Sequence, residues 1–253
     1  ISINESISNV INQDKGLPSD SVRCITKSAN GDYYVGTTSY LAVITLSSGL
    51  VVSDVIEEVS YACSISADNN GNIAVVTNEG KLFIINGSEI ILERTCNQVT
   101  HRYTACQFDR NGNLYVASDN GYIEYYEYKN NILKIILNNE CKGILNINSL
   151  TAVDEKGVYV CADEGAGFFT SDGEFIKINT NKFASSIEHM LVDYQKNLWF
   201  TSSSFGLLKL SQTAFTDIYN QAGLDSCIVN SIVSHDDNLI FGTNKGITVI
   251  DEK

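Results

Sequence analysis

An all-β fold of repeated four-stranded sheets, a six-bladed β-propeller, is predicted by three features of the 253-residue sequence. The first is a strand pattern. Asp32-Tyr33-Tyr34-Val35-Gly36-Thr37 returns as Asn72-Ile73-Ala74-Val75-Val76-Thr77, Asn113-Leu114-Tyr115-Val116-Ala117-Ser118 and Val158-Tyr159-Val160-Cys161-Ala162. It returns twice more, as Asn197-Leu198-Trp199-Phe200-Thr201 and Asn238-Leu239-Ile240-Phe241-Gly242-Thr243. The central positions 34, 74, 115, 159, 199 and 240 are separated by 40, 41, 44, 40 and 41 residues. The second feature is a polar pair between two apolar runs in each unit, as at Asn30-Gly31, Asn70-Gly71 and Asn111-Gly112, and Asn-Gly favours the positive φ of tight hairpins. The third is a Gly six or seven residues past the central position: Gly80, Gly121, Gly165, Gly206 and Gly246, with Tyr40 in its place in the first unit. Short strands repeating every 40 residues or so make propeller blades, and closing the ring removes bare sheet edges.

One domain over 1–253 is expected, with repeats at about 16–56, 57–97, 98–140, 141–181, 182–222 and 223–253 plus 1–15. Asn220-Gln221-Ala222-Gly223-Leu224 echoes Asn12-Gln13-Asp14-Lys15-Gly16-Leu17, and 224 − 17 = 207 residues is five periods. The segment Ile7 to Gln13 is therefore expected as the outer strand of the last blade, closing a ring of six; a longer native chain would make seven. In the second unit Ala62 to Ile65 and Lys81 to Ile85 read as strands, with Ile90 to Arg94 as the outer one. Tyrosines on both faces of Tyr122 to Tyr128 fit a strand packed between two blades, with a carbohydrate platform as the sharper alternative. Phe183, Ile187, Met190, Leu191 and Tyr194 fall at helical spacing. The repeat assigns that segment to a first strand instead.

With 43% hydrophobic residues, 19% charged residues and a single Pro, the chain can bury a substantial core. A net charge of −13 argues against binding a nucleic-acid backbone, which needs a basic footprint. No apolar run reaches the roughly 18 residues of a membrane span. No signal peptide is visible and the chain begins at Ile1, so an excised or processed domain is expected, without a targeting segment of its own. The seven cysteines contain no CxxC pair and are odd in number, so buried thiols are expected. Cys24, Cys63 and Cys106 read as similar places in the first strands of their units.

The segment GLPSDSVRCITKSANGDYYVGTTS, residues 16–39, resembles the two-component regulator propeller repeat. Gly16-Leu17-Pro18, Ser21-Val22, Gly31 and Val35-Gly36-Thr37 carry the match, with Tyr34 where that repeat usually has Trp. Leu198-Trp199-Phe200-Thr201 and Gly206, then Gly223-Leu224, Phe241-Gly242-Thr243 and Gly246, continue it. The resemblance implies the extracytoplasmic sensor region of a bacterial membrane receptor, such as a hybrid histidine kinase or diguanylate cyclase, that works as a homodimer. It implies ligand binding without catalysis or a cofactor in this domain. The expected partners are a small polar ligand, a glycan among the candidates, or a protein.

Propeller ligands sit over the central channel, on the face made by loops entering each first strand and joining the second to the third. The expected ligand-binding residues on that face are Asp20, Tyr40, Tyr61, His101, Arg102, Asn148, Asp163 and Lys245. His101, His189 and His235 lie at different repeat positions and carry no metal-ligand spacing, so neither a metal site nor a catalytic residue is assigned. Two alternatives remain open: a protein-interaction scaffold, and a metal-dependent lyase similar to virginiamycin B lyase, which shares Leu-Trp-Phe-Thr at Leu198 to Thr201.

Overall fold

The computed structural model describes residues 10–45, 51–96, 101–154, 156–180, 183, 186–211, 227–235 and 238–251. The chain forms two compact units, residues 1–210 and 211–253. The first unit holds five antiparallel sheets, each with its strands in chain order. They are β1 (Val22–Lys27), β2 (Tyr33–Thr37), β3 (Tyr40–Thr45) and β4 (Val51–Ser60); then β5 (Ala62–Ala67), β6 (Asn72–Thr77), β7 (Lys81–Asn86) and β8 (Glu89–Thr95). The third sheet has β9 (Tyr103–Phe108), β10 (Leu114–Ser118), β11 (Tyr122–Lys129) and β12 (Ile132–Glu140). The fourth has β13 (Ile147–Asp154), β14 (Gly157–Ala162), β15 (Gly165–Thr170) and β16 (Phe175–Ile178). The fifth shows β17 (Ile187–Val192), β18 (Leu198–Ser202) and β19 (Gly206–Leu210) among the described residues. The second unit contributes a sixth sheet, β20 (Val229–His235), β21 (Asn238–Thr243) and β22 (Gly246–Asp251). Of the expected closing strand, residues 7–9 lie outside the described residues; residues 10–12 are not in a strand and Gln13–Lys15 is a 3-10 turn.

The core of the first unit lies between sheets. Tyr34, Leu41 and Val43 pack on Val75, Phe83 and Ile85. Val76, Leu82 and Ile84 pack on Leu114, Val116 and Tyr126. Tyr115, Ile123 and Tyr125 pack on Leu150, Val158 and Phe169, and Cys161 and Ala166 pack on Ile187, Met190 and Phe200. The tyrosine-rich strand β11 thus splits its rings between two layers, Tyr125 on one side and Tyr126 on the other. At the start of the first unit, Leu17 of the Gly-Leu-Pro lead is buried against Val35, Ala42 and Ile44.

Each first strand carries a β-bulge at the same register position. The pairing slips between Val22 and Cys24, Ala62 and Ser64, Tyr103 and Ala105, Ile147 and Ser149, Ile187 and His189, and Val229 and Ser231. A bulge adds one residue to a period of two, so residues three apart come to share a face. Tyr103 and Cys106 bury together, as do Ile147 and Leu150, and Ile187 and Met190. This explains the helix-like spacing of the segment around Met190: the apolar period of three belongs to a bulged strand. It also corrects the cysteine alignment. Counted from the bulge, Cys63, Cys24 and Cys106 stand at three successive register positions.

The turns leaving the first strands share a second device. Asp68 Oδ1 accepts the backbone N–H of Asn70 and Asn72 at 2.8 Å each, and Asp109 Oδ1 accepts those of Asn111 and Asn113 at 2.8 and 2.9 Å. Asp193 Oδ1 does the same for Gln195 and Asn197 at 2.9 Å each. These carboxylates replace the backbone as turn acceptors. Asp193 also accepts the indole N–H of Trp199, the only tryptophan, at 2.9 Å. That bond, with those from Asn197, holds its pKa down at about 2. A depressed carboxylate contributes stability above its unfolded pKa and loses it as pH falls through the folded one. Trp199 fluorescence is therefore expected to stay constant from pH 7 through the ordinary carboxylate range near 4 and to change only toward about 2. In Asp193→Asn that low-pH step is expected to be absent from an acid titration.

Candidate ligand-binding site

The bulge frees one side chain per first strand from the inter-sheet layers. In the first unit the freed residues are Arg23, Cys63, Thr104, Asn148 and Glu188. The strands that carry them run side by side in chain order, β1 by β5, β5 by β9, β9 by β13 and β13 by β17. Arg23, Cys63 and Asn148 line a cavity of about 320 Å³ at their centre, together with Gln107 and His189. The buried Thr104 hydroxyl, at the same register position, has no hydrogen-bond partner.

Serines seal the open edges of these inner strands. Ser64 Oγ accepts the N–H of Cys106 at 3.1 Å and Ser66 Oγ that of Phe108 at 2.9 Å. Ser149 Oγ donates to the Glu188 carbonyl at 2.6 Å. Each bond runs from one sheet to the next, so neighbouring inner strands share a fixed offset.

The loops above the cavity are tied in the same manner. Ser39, Asp119 and Asp163 carbonyls accept the N–H of Tyr61, Asn146 and Ser186 at 2.9, 3.1 and 2.8 Å. Those three acceptors join second strands to third strands, and the three donors enter the following sheet. Tyr61, Asn146 and Ser186 share a left-handed backbone, with φ of 46°, 45° and 34°. The same strain at three equivalent positions belongs to the loop architecture, and it points the chain into the bulge two residues later.

Two clusters form on this face. In one, Asp119 Oδ1 lies 3.1 Å from His101 Nδ1 and accepts the Arg102 backbone N–H at 3.2 Å, while Oδ2 lies 3.6 Å from Arg102 Nε. In the other, Asn148 Nδ2 donates to Asp163 Oδ1 at 3.1 Å and to the Ile187 carbonyl at 3.1 Å. Ser186 Oγ lies 3.2 Å from that same Asp163 oxygen and 2.8 Å from Glu188 Oε1. Tyr61 joins the cavity rim because the Arg23 guanidinium lies over its ring, 5.8 Å from the centroid.

Of the residues expected at a site, His101 and Arg102 therefore meet through Asp119, and Asn148 meets Asp163. Asp20 is turned aside: its Oδ1 accepts the N–H of Gln13 at 2.7 Å. Tyr40 opens β3 and is 39% exposed, and its carbonyl accepts the Thr37 hydroxyl. Lys245 lies in the second unit, where its backbone N–H donates to Thr243 Oγ1 at 3.1 Å. Sequence reasoning missed Arg23 and Cys63, both placed by a bulge, a feature of strand pairing that no residue type announces. Asp119 lies in a loop that the sequence assigns to this face, and its pairing with His101 and Arg102 is what the structure adds.

No disulfide joins the seven cysteines. Burial pushes the Cys24, Cys106, Cys141 and Cys161 thiols up to about 12. Burial also raises Cys63, but Arg23 and Arg102 both pull it back down. Among the described residues no three His, Cys, Asp or Glu side chains are placed to hold a metal ion, and no helix is long and apolar enough to cross a membrane.

No protein-family model matches the sequence, and neither does any curated protein. Solved structures do match. The extracellular domain of a hybrid two-component system from B. thetaiotaomicron superposes with a TM-score of 0.62 at 16% identity, over 94% of this chain and 34% of its own. The WD40 repeats of RRP9 give 0.65 at 10% identity, over 91% and 76%. Virginiamycin B lyase from Staphylococcus aureus gives 0.58 at 13%, over 91% and 84%. The fold is that of a β-propeller. Within the first unit the sheets are its blades, the bulged strands are their inner strands, and the cavity lies where a propeller has its channel. The chain spans about a third of the length of the two-component domain.

Proposed function

We propose that this chain is the non-catalytic, ligand-sensing propeller of a bacterial membrane signalling receptor of the two-component or diguanylate-cyclase type, exposed outside the cytoplasm. The observation that carries the reading is the recurring bulge, which turns Arg23, Cys63 and Asn148 of three different blades into one channel cavity. Bulges serve to re-aim side chains next to functional sites. A blade needs no arginine at that register for its packing. The likeness to the extracellular domain of a two-component system supports the same reading. Likeness to the lyase and to WD40 repeats is a likeness of fold.

In the receptor, a small polar ligand over the channel biases the geometry of a homodimer, a population shift rather than a reaction. A thermal-shift screen against monosaccharides, oligosaccharides, amino acids and divalent metals tests it. A ligand at about 100 times its Kd stabilises the folded state by about 2.7 kcal/mol, and in a chain of this size each kcal/mol raises Tm by about 2–4 °C. The expected result is a rise with one chemical class that Arg102→Ala and Tyr61→Ala both abolish. A rise with metal alone would overturn the reading in favour of the lyase, and silence across the screen in favour of a protein partner.

A further inference from the structure

The charges on the channel face are unevenly satisfied. Asp119 is engaged by His101 and Arg102, and Asp163 by Asn148 and Ser186. Glu164 Oε2 accepts the Leu145 N–H at 2.7 Å, and Glu188 accepts Ser186. Arg23, by contrast, makes no ion pair with any described residue. Among the described residues its side chain rests on the Tyr61 ring, which holds a guanidinium by its face and leaves the N–H donors at its edge unused. Arg23 lines the cavity, as does His189 of the fifth inner strand.

The chain carries a net charge of −13, so a cation reserved at the channel is not there by surplus. A guanidinium presents two parallel N–H groups that match a carboxylate, and a stacked one loses little freedom on binding. The cavity volume of about 320 Å³ is near the lower end for small-molecule sites, which run from about 300 to 1,000 Å³. It suits one ring or one short chain.

Resting on the sensor reading above, we propose that the channel recognises a small organic acid, with Arg23 on its Tyr61 platform gripping the carboxylate and Gln107, Asn148 and His189 facing the rest of the ligand. The ligand's charge would then lie beside Cys63, between Arg23 and Arg102. Cys63 becomes a reporter. Occupancy would cover the thiol and cancel the two guanidinium fields that favour its thiolate. Cys24 and Cys106 are silent at neutral pH because burial holds them at about 12.

The test is the rate of Cys63 alkylation by N-ethylmaleimide, followed by peptide mass spectrometry on the intact chain at constant ionic strength. The probes are citrate and glucuronate, with glucose as the neutral ring and inorganic phosphate as the non-carboxylate oxyanion. At about ten times the Kd of a carboxylate, alkylation is expected to slow about tenfold, by mass action. Arg23→Gln should abolish the protection, and Arg23→Lys, which keeps the charge without the fork, should lose most of it. Arg23 is exposed, and circular dichroism checks that both variants keep the fold. Full protection in Arg23→Gln, or equal protection by phosphate or by glucose, would overturn the assignment. A neutral ligand that raises Tm in the screen while carboxylates leave Cys63 unprotected overturns this inference alone. Silence in both experiments overturns the sensor reading with it.

Discussion

Gly121→Ala is expected to destabilise the protein by about 3–5 kcal/mol, whereas Gly31→Ala costs about 1 kcal/mol. Both glycines have a left-handed backbone, with φ of +77° and +100°, so both variants carry the strain of an L-residue there. Their surroundings differ. A Cβ on Gly31 meets nothing within 4 Å, while one on Gly121 would stand 2.0 Å from the Ile144 carbonyl oxygen. That oxygen cannot give way easily. Ile144 donates its N–H to Cys141 at 3.0 Å, and Cys141 donates to the Gly121 carbonyl at 2.8 Å. The Ile144 side chain is also buried between the third and fourth blades. Urea denaturation of the two variants followed by circular dichroism separates strain from collision. Equal midpoints would mean that the entry loop of the fourth blade moves aside freely.

The second large effect is expected at Glu124, buried at 6% exposure in the middle of β11. Its Oε2 accepts the Tyr103 hydroxyl at 2.7 Å and the Tyr126 hydroxyl as well. Tyr103 and Tyr126 are themselves buried, and Arg94 lies over the Tyr126 ring at 4.9 Å. Glu124→Leu removes the shared acceptor of two buried hydroxyls, each loss costing about 1–3 kcal/mol, so a loss of about 2–6 kcal/mol is expected, toward the lower end where the two hydroxyls, 3.5 Å apart, bond each other instead. Glu124→Gln keeps a carbonyl acceptor and should lose less than half of that. Buried tyrosines on both faces of this sheet set the alkaline limit. Burial raises the pKa of Tyr103, Tyr115 and Tyr126 above the usual value of 10. A raised folded pKa means stability that is complete below the unfolded value and lost as pH climbs above it. These three tyrosines are therefore expected to ionise only with unfolding, above pH 10, in one step of tyrosinate absorbance that coincides with loss of circular dichroism. Gradual ionisation before unfolding would refute the buried arrangement.

How much of this the sequence carried depended on whether a feature is local. Asn70-Gly71 and Asn111-Gly112 mark turns by their own backbone preferences, and the strands on either side are where the repeat places them. The first strand of the fifth unit followed from period alone, against its own helical spacing. The channel did not follow. Which of Arg23, Cys24 and Ile25 leaves the packed layer is decided by a slip against Val35, Gly36 and Thr37, ten or more residues away. His101, Arg102 and Asp119 were all visible as polar loop residues, but that Asp119 is the common partner of the other two became visible only once Tyr103 and Ser118 were paired. Asp20 carried the right chemistry in the right loop, yet it serves the turn at Gln13.

The serine bonds between inner strands have a direction. Ser64 and Ser66 reach forward to Cys106 and Phe108, Ser149 reaches forward to Glu188, and the Cys24 thiol reaches forward to the Ala62 carbonyl at 3.6 Å. In each case the group that seals a backbone edge is about 40 residues nearer the N-terminus than the edge it seals. During translation the seal is therefore made before the edge. A nascent blade leaving the ribosome is therefore expected to meet a neighbour already carrying its docking groups, which would keep its exposed inner edge short-lived and assembly vectorial. A circular permutant opened between two blades would have to form one of these junctions backwards, with the edge waiting for its seal. That junction is where misassembly would begin.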